Sequence, residues 1–283
     1  MPELPEVQTV VTQLGKKVVG KTIARFWSDW QKKILTPFST FTRLTKGATI
    51  VGTRRLGKHV IIDLAHGYSI VAHLKMTGHF LVKDDQTRQS KAFTEDRVNG
   101  YIHHIFTFTD GATLEFSDMR KFGWLKLMKT DEVETLPSIA SLGIDALSSK
   151  LNQKMFDELL LPRAKRSIGE VLLEQQRIAG IGNIYRSEAL FLARVLPMRR
   201  ISTLSPDEKK KILPAIKHVL RQAVKLRGTS DGDFRDTDGL EGRFQRTLYV
   251  YGRTKEPCKK CGTMIERIVL GSRSVFFCPR CQQ

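Results

Sequence analysis

Two cysteine pairs, Cys258-Lys-Lys-Cys261 and Cys278-Pro-Arg-Cys281, end the chain and restrict its fold more than any other feature. Paired thiolates at this separation match a zinc-ribbon pattern. Four of them close a tetrahedron and leave no open coordination position, so the expected cofactor is one structural Zn2+ per chain, not a catalytic one. Every cysteine of the chain lies in this cluster. That argues against a disulfide framework for the whole protein and implies a reducing compartment. Between the pairs, Ile265 to Leu270 and Ser274 to Phe277 predict a hairpin with Arg273 near its tip. An arginine there suits a phosphate contact and suits plain solvation equally well.

The charge balance points to a polyanion. Among 283 residues, 47 Lys and Arg stand against 29 Asp and Glu, a net charge of +18. The isoelectric point is near 9.9. Nucleic acid is the leading partner class and an anionic membrane surface the second. No apolar run approaches the roughly 20 residues of a membrane span. The N-terminus lacks a basic and then apolar leader, so a cytoplasmic location is expected.

Periodicity divides the chain. Val7, Val10, Val11, Leu14 and Val18 follow helical spacing between Pro5 and Val18. From Lys21 to about Lys129 the pattern is one of short strands at residues 49–53, 59–64, 68–74, 105–109 and 112–116, separated by turn signals such as Asp110-Gly111. These predict an antiparallel sandwich or barrel, with residues 84–100 as a mobile polar loop. After an acidic linker, helical patterns cover 155–161, 168–175, 183–193 and 205–226, the last opened by Ser205-Pro206-Asp207-Glu208. Residues 227–242 have no periodicity and read as a long functional or disordered loop. The fold class is α+β. The expected domains are 1–130, 131–246 and 247–283.

Several short stretches could support chemistry. Removal of Met1 would make Pro2 a secondary amine with an unperturbed pKa of about 8, able to attack carbon and form an iminium. Glu3 and Glu6 stand beside it, although the same residues also suit a plain helix start. Gly180-Ile-Gly182-Asn183 precedes a helix, where backbone N–H groups can hold phosphate and Asn183 can cap. Lys58 reads as a strand-edge lysine, and His73 as a structural histidine. Asp118-Met-Arg120-Lys-Phe122-Gly123 sets two cations around an aromatic residue, which suits a wedge into stacked bases.

In their order along the chain, these pieces resemble the bacterial formamidopyrimidine-DNA glycosylases. The matching stretches are Pro2-Glu-Leu-Pro-Glu-Val7, Gly57-Lys58, His73-Leu-x-Met76-x-Gly78, Asp118-x-Arg120-Lys-Phe122-Gly123 and Leu142-Gly143. They continue with Ala179-Gly-Ile-Gly-Asn183-Ile-Tyr185, Glu188-Ala-Leu-Phe191, Gly242-x-Phe244-Gln245, Tyr249-Val-Tyr251-Gly-Arg253 and the terminal cysteines. The resemblance implies a β-sandwich with a leading helix, then a helical domain with a helix–two-turn–helix motif and a zinc ribbon. It implies removal of oxidised purines, 8-oxoguanine and formamidopyrimidines, from double-stranded DNA, with cleavage at abasic sites by a monomer associated with the bacterial nucleoid. The target nucleotide would be flipped out of the stack.

The same resemblance implies the residue roles. Pro2 would be the nucleophile, Glu3 the acid that opens the sugar and Glu6 a supporting carboxylate. Lys58 would serve β-elimination and Arg273 phosphate binding with δ-elimination. Met76, Arg120 and Phe122 would fill the gap left by the flipped base. Lys165 and Asn183 would hold phosphates, and His73, His103 and Tyr251 complete the expected DNA contacts. The chain departs from the family pattern at Tyr101, at Gly169 and in the loop Thr229-Ser-Asp231-Gly232-Asp233, where Thr-Leu-Arg is usual. That loop keeps an endonuclease VIII-like preference for oxidised pyrimidines open. A non-catalytic damaged-DNA-binding zinc protein is the third reading.

Overall fold

The computed structural model describes residues 1–283, which form two compact units. Met1–Ala140 and Leu226–Gln245 make the first, and Ser141–Lys225 and Arg246–Gln283 the second.

In the first unit, helix α1 (Leu4–Lys17) precedes eight strands: β1 (Ile23–Ser28), β2 (Ile50–Leu56), β3 (His59–Leu64), β4 (Tyr68–His73), β5 (His79–Lys83), β6 (Ile102–Phe108), β7 (Thr113–Ser117) and β8 (Trp124–Lys129). They pair into two four-stranded antiparallel sheets, ordered β1-β6-β7-β5 and β2-β3-β4-β8. Inward side chains of both sheets share one core with the apolar stripe of α1: Val60, Ile62 and Ile70 meet Phe80, Phe106, Phe116, Val10 and Leu14. Strand β3 is buried on both faces. Its outward Ile61 joins Val71, Val133, Leu136 and Ile139 in a second cluster. This cluster carries the first unit past the expected boundary at residue 130, through helix α4 (Pro137–Ala140).

Helix α2 (Phe38–Thr45) closes one side of the core through Phe41. Residues 84–100, expected as a loop, contain helix α3 (Lys91–Glu95) and a 3-10 turn (Arg97–Gly100). Asp96 caps that turn by accepting from Val98 N. Residues 226–245, expected in the helical domain, pack with the first unit because Phe234 enters its core.

The second unit contains α5 (Gln153–Leu160), α6 (Ile168–Val171), α7 (Asn183–Ala193) and α8 (Pro206–Lys225). Strands β9 (Ile144–Asp145) and β10 (Ile178–Ala179) form a short parallel pair. The Ser205 start of α8 is a reciprocal cap: Glu208 N donates to Ser205 Oγ and Ser205 N to the Glu208 carboxylate. Strands β11 (Glu266–Leu270) and β12 (Arg273–Phe277) form the expected hairpin. No helix is long and apolar enough to cross a membrane.

Candidate active site and metal centre

Pro2 and Glu3 are buried at the start of α1, whereas Met1 lies at the surface. Glu6, only 1% exposed, fixes this end through both carboxylate oxygens. Oε2 accepts from Glu3 N at 2.7 Å, and Oε1 accepts from Thr229 N at 2.7 Å. The approach depends on Gly228. Its φ is +81°, and a Cβ there would meet Glu6 Oε1 at 2.7 Å. The helix start is therefore held in place and does not fray.

Lys58 follows Gly57 (φ +55°) in the two-residue turn between β2 and β3, where glycine is favoured at the first position. Lys58 is 7% exposed, unlike the strand-edge lysine that local sequence suggests. Arg55 ties this turn to α1: its Nε donates to Gln8 Oε1 at 3.0 Å and its Nη1 to Gly57 O at 2.8 Å. Neither Gln8 nor Arg55 stands out in the sequence, because their pairing depends on how α1 lies on β2.

The stretches 73–78 and 118–123 meet. Asp118 accepts from the Thr77 hydroxyl and from Gly123 N at 2.7 Å, and Arg120 N donates to Thr77 Oγ1 at 3.1 Å. This bracing presents Met76, Arg120 and Phe122 at the surface. The Arg120 guanidinium lies 4.7 Å from the Phe122 ring centre. Lys121, in a left-handed conformation, instead stacks on Trp30 at 4.6 Å.

The histidines are more enclosed than their expected roles suggest. His103 is nearly buried, with Nδ1 2.9 Å from Asp29. Tyr101 accepts from Arg97 Nε at 2.8 Å. His73 Nδ1 accepts from Lys75 N, and its ring meets His59 edge-on at 4.8 Å. Burial lowers the pKa of His59 to about 4, of His73 to about 3 and of His104 to about 4. For His73 the neighbouring His59 and Lys75 add to this. The folded chain thus keeps these rings neutral where the unfolded chain, titrating near 6.5, binds protons. Stability should be fully retained above about pH 6.5 and fall steadily as the pH drops from there toward 4. Melting temperatures across that window test this, and His104→Gln should flatten the slope. An unchanged slope would remove His104 as a contributor.

In the second unit Asn183 opens α7, but Gly182 is the residue at the cap position and Asn183 does not cap the helix. Its Oδ1 is taken by the Arg186 guanidinium. Arg186 is fully buried and also donates to Gly169 O at 3.0 Å and Ser274 O at 3.3 Å. Two residues on, buried Glu188 accepts from the N–H groups of Tyr249, Val250 and Tyr251 at 2.8–2.9 Å. Burial pushes its carboxyl up from the usual range, and the three donors oppose that shift. These two residues fasten the zinc ribbon to α7, a role invisible without the packing. Tyr251 packs edge-on against Phe276 at 5.0 Å. Lys165, and Arg273 at the hairpin tip, are exposed.

The four cysteine sulfurs lie within 4.8 Å of one another. Zn–S bonds of about 2.3 Å in a tetrahedron require S···S edges of about 3.8 Å. The Cys258–Cys281 and Cys261–Cys278 separations of 3.9 and 3.5 Å fit that size. Thr263 holds the Cys261 thiol down at about 6, whereas burial and the other sulfurs push Cys281 up to about 12. A divalent cation would stabilise all four as thiolates. The site is a structural zinc centre.

Residues 1–125 match the formamidopyrimidine-DNA glycosylase N-terminal domain, 142–234 its H2TH domain and 255–283 the zinc finger found in FPG and IleRS. The formamidopyrimidine-DNA glycosylase of Desulfitobacterium hafniense is 37% identical over 283 residues, covering all of both chains. The chain belongs to the formamidopyrimidine-DNA glycosylase family. Its relative in Halalkalibacterium halodurans is 38% identical over 285 residues, again covering both chains in full. Among solved structures, Lactococcus lactis Fpg bound to DNA containing N7-benzyl-Fapy-dG superposes with a TM-score of 0.87 at 33% identity, covering 100% of each chain. The same enzyme with DNA containing an oxidised pyrimidine gives 0.86 at 33% identity, also covering 100% of each. Members of this glycosylase family act in base excision repair, and the +18 charge of the present chain suits a DNA partner.

Proposed function

We propose that the chain is a bifunctional glycosylase and abasic-site lyase that excises oxidised purines from double-stranded DNA through an iminium at Pro2. The single observation that supports this most is the buried chain end, held by Glu6 from two sides. A nucleophile must be positioned, and a frayed terminus cannot be. With Met1 removed, the Pro2 nitrogen attacks C1′, and the damaged base leaves with the bonding pair and takes up the proton that the nitrogen gives up. Glu3 then delivers a proton to the sugar ring oxygen as the C1′–O4′ bond breaks, and the nitrogen lone pair closes the iminium. The positive iminium acidifies the C2′ proton. Its removal expels the 3′ phosphate by β-elimination, and a second elimination releases the 5′ phosphate. Lys58 serves the first elimination, and Arg273 holds phosphate for the second. Met76, Arg120 and Phe122 fill the vacated stack, with Arg120 facing the orphaned base. Lys165, Asn183, His73, His103 and Tyr251 complete the DNA contacts, His103 acting from its nearly buried pair with Asp29. The zinc ribbon supports Arg273 and takes no part in the chemistry. The protein works as a cytoplasmic, nucleoid-associated monomer.

An oxidised-pyrimidine preference is the second reading. It is supported by the L. lactis enzyme bound to such a lesion and by the altered Thr229–Asp233 loop. Duplexes carrying 8-oxoguanine, formamidopyrimidine, thymine glycol or an abasic site, treated with borohydride, separate the readings. Covalent adducts are expected on the purine lesions and the abasic site. Adducts strongest on thymine glycol would move the assignment to the pyrimidine class, and binding without any adduct would leave a non-catalytic protein. Affinity should drop at least about tenfold between 50 and 200 mM salt, as phosphate neutralisation requires.

A further inference from the structure

The turn that bears Arg120 and Phe122 is one of two crossovers between the sheets of the first unit, and the two touch. Residues 118–123 lead from β7 in one sheet to β8 in the other. Residues 29–35 leave β1 in the first sheet and also reach β8, where Leu35 N donates to Leu125 O at 2.8 Å. This second crossover is fastened at its start as well. Asp29 N donates to His103 O at 3.2 Å, and Trp30 N to Ser28 Oγ at 3.0 Å. The Asp29 carboxylate lies 2.9 Å from His103 Nδ1. Trp30 therefore sits on a segment held at both ends. The crossovers meet where Lys121 Nζ lies 4.6 Å from the centre of the Trp30 ring. Lys32 also reaches this ring, at 5.7 Å. The indole is not placed there to satisfy its own N–H, since Nε1 is buried and makes no hydrogen bond. Its face makes the contact.

We propose that Trp30 is a positioning residue for the wedge: by holding Lys121, it fixes the direction in which Arg120 and Phe122 enter the base stack. This rests on the reading above of Arg120 and Phe122 as residues that fill the vacated stack. Lys121 has φ +55°, a conformation that a Cβ disfavours and that persists only where the surroundings enforce it. Asp118 enforces the flanks of the turn, through Thr77 at Arg120 N and directly at Gly123 N. The Trp30 contact enforces its middle. If Lys121 left the left-handed region, the backbone on either side would swing. The Arg120 guanidinium and the Phe122 ring, now 4.7 Å apart, would then separate. A wedge already set in the free protein does not draw on binding energy to become ordered. Flipping a paired nucleotide costs more than flipping an unpaired one, so a loosened wedge shows most on a paired lesion.

Single-turnover excision of formamidopyrimidine by the full-length protein tests this, with the lesion opposite cytosine or opposite a tetrahydrofuran residue that offers no base. Trp30→Leu should slow excision about fivefold opposite cytosine and less than about twofold opposite tetrahydrofuran, because a smaller fraction of the protein has its wedge set. Trp30→Phe keeps an aromatic face and should stay within about twofold of the parent on both duplexes. Lys121→Gln should match Trp30→Leu, and the double variant should be no slower than either, because both remove one contact. Lys32→Gln takes a cation from the same ring but outside the wedge turn, and should stay within about twofold of the parent. If Trp30→Leu does not fold, Lys121→Gln on the two duplexes decides alone. Equal slowing on both duplexes, additive losses in the double variant, an equal loss in Lys32→Gln, or unchanged excision in Trp30→Leu would overturn the proposal. If Arg120→Ala excises opposite cytosine as fast as the parent, the wedge reading itself fails, an outcome separate from any of these.

Discussion

Protein that retains Met1 is expected to lose base excision by at least about a thousandfold while binding lesion DNA with unchanged affinity. The reason is electronic. Behind Met1 the Pro2 nitrogen is an amide, its lone pair delocalised into a carbonyl, and it can neither attack C1′ nor become an iminium. The groups expected to hold DNA are elsewhere: Arg120 and Phe122 at the surface of the first unit, Lys165 and Arg273 in the second. The same loss is expected when any tag precedes Pro2. Pro2→Gly complements this, since a primary amine in place of the ring nitrogen should lose the adduct on the intact lesion. The measurement is borohydride trapping on formamidopyrimidine DNA alongside a binding titration. Full excision by protein whose mass includes Met1 would sink the nucleophile assignment.

Loss of the metal should be nearly as severe, by a different route. Cys278→Ser, or chelation of the wild-type protein, is expected to weaken lesion-DNA binding by about a hundredfold or more. The β11–β12 hairpin is short, and an isolated two-stranded hairpin is marginal in water. Its cluster consists of Phe191, Val250, Ile265 and the buried cysteines themselves, so the sulfurs are part of the core as well as ligands. Zinc ligation of this kind contributes on the order of 10 kcal/mol, more than such a cluster can replace. The first unit has its own core and should stay folded. Calorimetry should therefore keep one transition intact while zinc content and affinity fall together. Retained affinity in zinc-free protein would show that Arg273 is not held by the metal.

Much of this arrangement could be read from the residues. The α1 stripe, the Ser205 start of α8, the hairpin and the cysteine tetrahedron each depend on local spacing or capping, and each formed where expected. Strands β1, β5 and β8 were less legible. In β1, Arg25 and the exposed Trp27 break an apolar pattern, and β5 is a five-residue run buried nearly throughout. The loops were the least legible. Residues 84–100 and 227–242 lack periodicity, yet each is stabilised by the other across more than a hundred residues of chain, through Asn99 and Gly239. Asn183 shows the same limit in miniature: its sequence suits a cap, and a buried arginine nearby takes its oxygen instead.

The Glu6–Thr229 hydrogen bond also has a meaning in time. Synthesis delivers the chain end that bears Pro2 first, and the residues that complete its setting only after most of the second unit has left the ribosome. Phe234, a member of the first unit's core, arrives equally late. A nascent chain of the first 140 residues thus has both sheets but an unfinished core, and its N-terminal end is not yet held. On the proposed mechanism, the Pro2 amine is set against a sugar only after Lys165 and Asn183 have been made. Only the zinc ribbon, with Arg273, is made later still.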